Sequence, residues 1–158
     1  MDISFKTELG KFNYRVCAVI INDKKLLVMR DNHADYFYLP GGRVQFNETA
    51  ENAVLRELKE ELNIDAKIIR PLYFNQNFFF EDVLKVNYHE IGVYYLIDIT
   101  KTDILSRGNS FKGVETTKNQ QFEWMSFDDV KKSYLYPLFI KENIDNLPHT
   151  MQIINETN

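Results

Sequence analysis

The chain has 158 residues, 44% of them hydrophobic and 14% aromatic, which is the usual size of one domain with enough apolar volume to fill a core. Its formal net charge of -4 argues against a broad footprint on a DNA or RNA backbone, yet leaves room for a small anionic ligand held through a metal. The single cysteine, Cys17, can form no internal disulfide, and its neighbours Val16, Ala18, Val19 and Ile20 make it an expected packed thiol. Met1-Asp2-Ile3 opens without a basic and then apolar leader, and no apolar run approaches a membrane span, so the expectation is a cytoplasmic protein with no membrane partner.

No repeat, low-complexity tract or linker divides the sequence, and one domain over residues 1–158 is the economical expectation. Phe12 to Ile21 and Lys25 to Arg30 alternate as two strands of a hairpin around Asn22-Asp23. An extended piece, Tyr36 to Leu39, is broken by Pro40-Gly41-Gly42, and Arg43 to Phe46 follows as a short connection. Ala50 to Leu62 contains no Gly or Pro, has Thr49 as an N-cap and Glu51 in its first turn, and is predicted to be a helix ending at Asn63. Lys67–Tyr73, Asn77–Phe80 and Tyr88–Ile99 are rich in β-branched and aromatic residues and predict strands, the last two joined through Glu81–Lys85. Residues 104–117 predict a loop, Glu123-Trp124-Met125 a short strand, Phe127–Lys132 a helix capped by Ser126, and Pro137–Leu147 a C-terminal helix. The order predicts an α+β fold, a mixed sheet flanked by helices as an α/β/α sandwich.

At about 100° per residue, Val54, Leu55, Leu58 and Leu62 share one face of the predicted helix and Glu57, Glu60 and Glu61 share the adjacent one. Two carboxylates about 6 Å apart repel by roughly 3 kcal/mol at an effective dielectric near 20, and one arginine, Arg56, cannot neutralise three of them. A divalent cation can. All-oxygen donors suit Mg²⁺, Mn²⁺ or Ca²⁺, and a carboxylate stripe rather than a full cage is what a metal bridging to phosphates would use. Against this stands the ordinary solvated charged helix face.

The stretch before the helix decides between them. It reads Gly42, five residues, Glu48, seven residues, then Arg56-Glu57-Leu58-Lys59-Glu60-Glu61-Leu62-Asn63-Ile64. This resembles the Nudix box, with Asn63 standing where the family has Gly and Asn47 where it often has Gly; a chance match of that quality is roughly a one-in-a-million event. Tyr38 to Val44 resembles the family's entry into the box, and Glu123-Trp124 a late strand of many members. Asn is the next-best residue for left-handed turns, so both departures are expected to keep the geometry.

The resemblance implies water attack on phosphorus in a nucleoside diphosphate linked to another moiety, or in a nucleoside triphosphate, with Mg²⁺ as cofactor and Mn²⁺ as substitute. It implies Glu57, Glu60 and Glu61 as metal ligands, with Glu60, Glu61 and Arg56 in catalysis and Glu48 in support; beside it, Gly41 and Gly42 allow either an ordinary turn or close approach of substrate, and Arg43 either meets a substrate phosphate or is a solvated loop charge. Glu115 and Glu123 are candidates for a base supplied by a later loop. The partner is then a small nucleotide or other diphosphate, with a homodimer as the default assembly. Tyr73 to Phe80 carries aromatics and amides that could stack on and read a nucleobase, or simply pack in the core. His89 lies inside an apolar strand and is expected to be a sheet residue, while His33 and His149 have no recognisable partner. Two alternatives stay open: a nucleotide-sensing module that binds without cleaving, and prenyl-diphosphate isomerisation, for which one buried cysteine offers no evident acid.

Overall fold

The computed structural model describes residues 1–157. Nine strands form one mixed sheet system: β1 (Ser4–Thr7), β2 (Gly10–Asn22), β3 (Lys25–Arg30), β4 (Gly41–Arg43), β5 (Lys67–Glu81), β6 (Val86–Asp98), β7 (Ser110–Lys112), β8 (Gln121–Ser126) and β9 (Gln152–Thr157). Three α-helices accompany them among the described residues, α1 (Ala50–Leu62), α2 (Phe127–Lys132) and α3 (Leu138–Asn143). The strand order is β7-β8-β3-β2-β6-β5-β9, with β1 and β4 also pairing to β2. β2 with β6, and β5 with β9, run parallel; the other pairs are antiparallel.

Alternation along the central strands sorts side chains into two cores. Val16, Ala18 and Ile20 of β2, with Val93, Tyr95 and Ile97 of β6, meet Val54, Leu58 and Leu62 of α1. Cys17 and Val19, with Leu26, Val28 and Tyr94, meet Val130, Phe139 and Ile140 of α2 and α3. The expected sandwich is therefore realised, with α1 on one face and the short helices on the other. No helix among the described residues is long and apolar enough to cross a membrane.

β2 and β3 pair only at Ile21–Leu26 and Asn22–Lys25. Beyond those rungs the strands separate, and β2 takes β4 as its neighbour, from Arg15–Arg43 to Cys17–Gly41. This split is the opening into which α1 presents its acidic side.

α1 has the predicted limits. The Thr49 hydroxyl accepts from the Asn52 amide, and Asn63 takes the left-handed conformation, φ 52° and ψ 45°, donating its amide to the Lys59 carbonyl. Asn47 is also left-handed at φ 65°, so both asparagines adopt a conformation that glycine takes most readily. α2 likewise keeps its predicted limits, with the Ser126 side chain accepting from the Asp129 amide.

Other boundaries differ from expectation. The two strands expected at 67–73 and 77–80 are one strand, β5, because register shifts between Ile68 and Arg70 and between Pro71 and Tyr73 let it bend past Pro71 without losing its pairing to β6. The expected loop at 104–117 contains a 3-10 helix, Ile104–Arg107, and β7, which is held as an edge strand on β8. Gly41–Arg43 is a strand rather than a turn, and the C-terminal helix stops at Asn143. β1 and β9, too short and polar to signal themselves, exist only through their partners β2 and β5.

Candidate active site

Glu57 and Glu61 lie one helical turn apart on α1 and are both buried, Glu61 to 1% exposure. They face a cavity of about 950 Å³ that Gly41, Gly42, Arg43 and Lys118 also line. Glu60, between them in sequence, turns outward, with its side chain 45% exposed.

Arg56 organises the group. Its Nε and Nη2 donate to the two Glu48 carboxylate oxygens at 2.6 and 3.0 Å, a fork-to-fork pair. Nη1 donates to Glu57 Oε1 at 2.9 Å and to Glu60 at 3.2 Å, and Nη2 also reaches the Arg43 carbonyl at 3.0 Å. Glu48 in turn accepts from the Gln45 amide at 2.9 Å. The Arg56 guanidinium holds Glu48 below the usual carboxylate range, while Glu48 above all, and then Glu57, holds Arg56 firmly protonated. One guanidinium thus ties the turn before α1, strand β4 and two acidic residues of α1 into a rigid unit.

The inner carboxylates are less well compensated. Burial raises Glu57, with Arg56 pulling the other way. Glu61 is pushed up to about 8, first by burial and then by the Glu57 carboxylate, with Lys118 and the Gly41 amide offsetting only part. Glu61 Oε2 is buried without a hydrogen-bond partner.

The glycines have a steric reason. A Cβ on Gly42 would sit 2.2 Å from Glu57 Oε1, and one on Gly41 would sit 2.1 Å from the Val16 carbonyl oxygen. Only bare backbone allows β4 to lie between the carboxylate and β2. Arg43 follows, 3.7 Å from Asp2 and partly exposed at the cavity rim.

The two candidate loop bases separate. Glu115 belongs to a loop that closes over the end of α1, where the Val114 amide donates to the Glu61 backbone carbonyl at 2.9 Å. Glu115 pairs with Lys118 at 3.4 Å and leaves Oε1 buried without a partner. Glu123 sits on β8 opposite Val28 and Ser110, between Phe122 and Trp124 that face α1, so alternation turns it away from the carboxylates. Of the aromatic and amide run, Tyr73 is core, while Asn75, Asn77 and Phe79 line the cavity. Cys17 is buried, and burial raises its thiol to about 11, which keeps it protonated and unreactive. His89 packs its ring against Phe12 and Phe78, away from the carboxylates.

Among the described residues no three His, Cys, Asp or Glu side chains converge into a preformed metal cage. The donor set nevertheless suits a hard cation: oxygen only, two carboxylates raised by burial and, for Glu61, a buried oxygen without a hydrogen-bond partner. Sequence reasoning missed Arg15, Lys118, Glu90 and Glu156 on the cavity wall. The polar residues Asn13 and Arg15 and then Asn75 and Asn77, spaced by two in strands otherwise apolar, are the signal that could have found that wall.

A mixed sheet between helices, with a glycine strand and an arginine-clamped acidic helix at its split, defines a class that comparison with known proteins identifies. The NUDIX domain family model matches residues 11–146, and the chain belongs to the Nudix hydrolase family. An mRNA-decapping protein of Fowlpox virus is 30% identical over 115 residues, covering 70% of this chain, which spans 47% of that relative, about half its length. An ADP-ribose pyrophosphatase of Methanocaldococcus jannaschii is 28% identical over 127 residues, 76% of this chain and 71% of that protein. Among solved structures, a MutT protein from Bacillus halodurans superposes with a TM-score of 0.61 at 12% identity, covering 92% of this chain and 90% of that one. At such identity the superposition speaks for the fold alone. Nudix hydrolases generally use divalent metal ions.

Proposed function

We propose that the protein is a Mg²⁺-dependent pyrophosphohydrolase that cleaves a diphosphate linkage in a nucleoside diphosphate joined to another moiety, or in a nucleoside triphosphate. The observation that carries this is the buried Glu57–Glu61 pair, under-compensated and turned toward a cavity beside Gly41 and Gly42. The relatives named as an ADP-ribose pyrophosphatase and, over 36% of this chain at 35% identity, an 8-oxo-dGTP diphosphatase of Proteus vulgaris support a small nucleotide substrate.

Glu57 and Glu61, with Glu60 swinging in from Arg56, would hold Mg²⁺ or Mn²⁺, which supplies charge neutralisation at the diphosphate oxygens and a more acidic attacking water. The chain's own residues do the rest. Gly41 and Gly42 let the substrate backbone approach without side-chain interference, and Arg43 and Lys118 present positive charge to its phosphates. Arg56 holds Glu57 in place and acts as a positioning residue. Water attacks one phosphorus, the P–O bond to the bridging oxygen breaks, and the leaving phosphate departs with that electron pair. The water proton passes to a carboxylate, for which burial and the free Oε2 favour Glu61 over the outward Glu60. Glu115, sheltered and one loop away, is the second candidate, and its geometry favours it over Glu123.

A nucleotide panel with Mg²⁺ and product identification tests this. We expect release of phosphate, pyrophosphate or a nucleoside monophosphate from at least one member, lost on chelation and reduced at least 100-fold by Glu61→Gln, in line with the loss of one acid–base group. Binding without cleavage by the wild-type chain would favour a sensing module instead.

A further inference from the structure

Below the carboxylates, the sheet contributes a second set of polar groups to the same cavity. Asn75, Gly92 and Arg15 form one in-register row across β5, β6 and β2. Glu156, Asn77, Glu90 and Asn13 form the next. In-register neighbours point to the same face. Gly92 leaves a gap in the first row, against which the Tyr94 ring rests; a Cβ there would be 3.2 Å from Tyr94 Cε2.

The hydrogen bonding of this floor is lopsided. Asn75, 3% exposed, donates Nδ2 to Glu156 Oε1 at 2.8 Å, which fixes its amide orientation and leaves Oδ1 buried without a partner. Asn77 Oδ1 is buried and unpartnered as well. Asn13 Nδ2 donates to Glu90 Oε2 at 3.2 Å, so Glu90 keeps its other oxygen for a ligand. All these groups offer acceptors. The strong donor among them is Arg15, half-buried on the cavity wall and in no ion pair with a carboxylate among the described residues.

Leaving such groups buried without partners costs their full desolvation, so the floor is complementary to a ligand that supplies what they lack. That ligand carries adjacent N–H donors for the amide and carboxylate oxygens, a carbonyl for the guanidinium, and flat faces for the tyrosines. Tyr36 and Tyr136, edge to face at 5.2 Å, border the same cavity. A guanine-type base has this edge, with N1–H and the exocyclic amine beside O6. Adenine would turn its N1 lone pair toward the Glu90 carboxylate, which can only accept, and has no carbonyl for Arg15. A sugar offers hydroxyl donors but no planar face.

We infer that the Asn75–Asn77–Glu90–Arg15 floor reads the donor edge of a guanine-type base, an assignment that rests on the diphosphate site proposed above and names the moiety attached to it. Calorimetric titration of the full chain in EDTA with GMP, AMP and ribose 5-phosphate tests it. GMP should bind at least tenfold more tightly than AMP or ribose 5-phosphate. Glu90→Gln and Asn77→Leu, each with unchanged thermal unfolding, should bring GMP to within threefold of AMP. Equal binding of GMP and AMP, binding of neither, a preference that survives both variants, or ribose 5-phosphate binding as tightly as GMP would each overturn it. None of these ligands contains a diphosphate, so this outcome is separate from turnover of the nucleotide panel, and failure of one is distinguishable from failure of the other.

Discussion

Three residues of the site answer to different physical constraints, and substitutions should separate them. Arg56 makes two bonds to Glu48 and one to Glu57 through a planar fork, which a lysine cannot reproduce. Arg56→Lys should therefore lower kcat by about 10- to 100-fold, with a loss of roughly 1–3 kcal/mol in urea unfolding from unmet acceptors on Glu48. Gly42→Ala acts by collision, since the added carbon would meet Glu57 Oε1 at 2.2 Å. It should depress activity at least tenfold, and metal affinity measured by calorimetry should fall with it; unaltered metal binding would show that Glu57 is not held against β4 as described. Glu61 answers to pH. Its carboxyl rises from about 4.5 to about 8 on folding, so across that window the folded protein retains a proton the unfolded chain has released. Stability of the metal-free protein from this group is full below pH 4.5 and is lost as pH climbs toward 8. Thermal unfolding in EDTA should show a falling midpoint over that range, flattened in Glu61→Gln; parallel profiles for the two proteins would remove Glu61 as the cause. Added Mg²⁺ should restore the midpoint most at the alkaline end, where the carboxylate is free to bind it.

On the scale of elements, α1 is the piece whose local chemistry and tertiary role coincide. Its cap, its apolar stripe and its left-handed end are all set by neighbours in sequence. Asn63 holds φ 52°, a conformation that costs an alanine roughly 1–2 kcal/mol, so Asn63→Ala should destabilise by about that much and Asn63→Gly should not. Urea denaturation of the three proteins checks the order. The strands behaved otherwise. β5 was expected in two pieces, Lys67–Tyr73 and Asn77–Phe80, with Asn75 and Gln76 between them, yet pairing with β6 from Lys67 to Glu81 carries it through. β1, β7 and β9 have little propensity of their own and are edge strands recruited by longer partners.

Across the whole molecule, the candidate site follows from where the sheet opens. β3 leaves β2 after two rungs, β4 fills in beside β2, and the carboxylates of α1 enter the resulting cavity from one side while the sheet floor meets it from below. Much of this was written locally. The Gly42 to Ile64 segment carries the helix limits and the arginine-acid cluster, because those depend on contacts three, four or eight residues apart along the chain. The division of labour within the cluster was not. Glu61 borders the apolar stripe of α1 and Glu60 lies opposite it, yet it takes the packing of that stripe on β2 and β6 to bury the one and expose the other. Nor could Glu90 and Glu156 be placed beside Asn77, for their proximity comes from one parallel and one antiparallel ladder joining segments far apart in sequence. The sequence alone therefore determined the helix, its charge pattern and the class of chemistry, all short-range properties of one continuous segment. Which loop carboxylate lies near the buried pair and which polar groups line the cavity were decided only by tertiary packing and by strand pairing at long range, whose register no local propensity encodes.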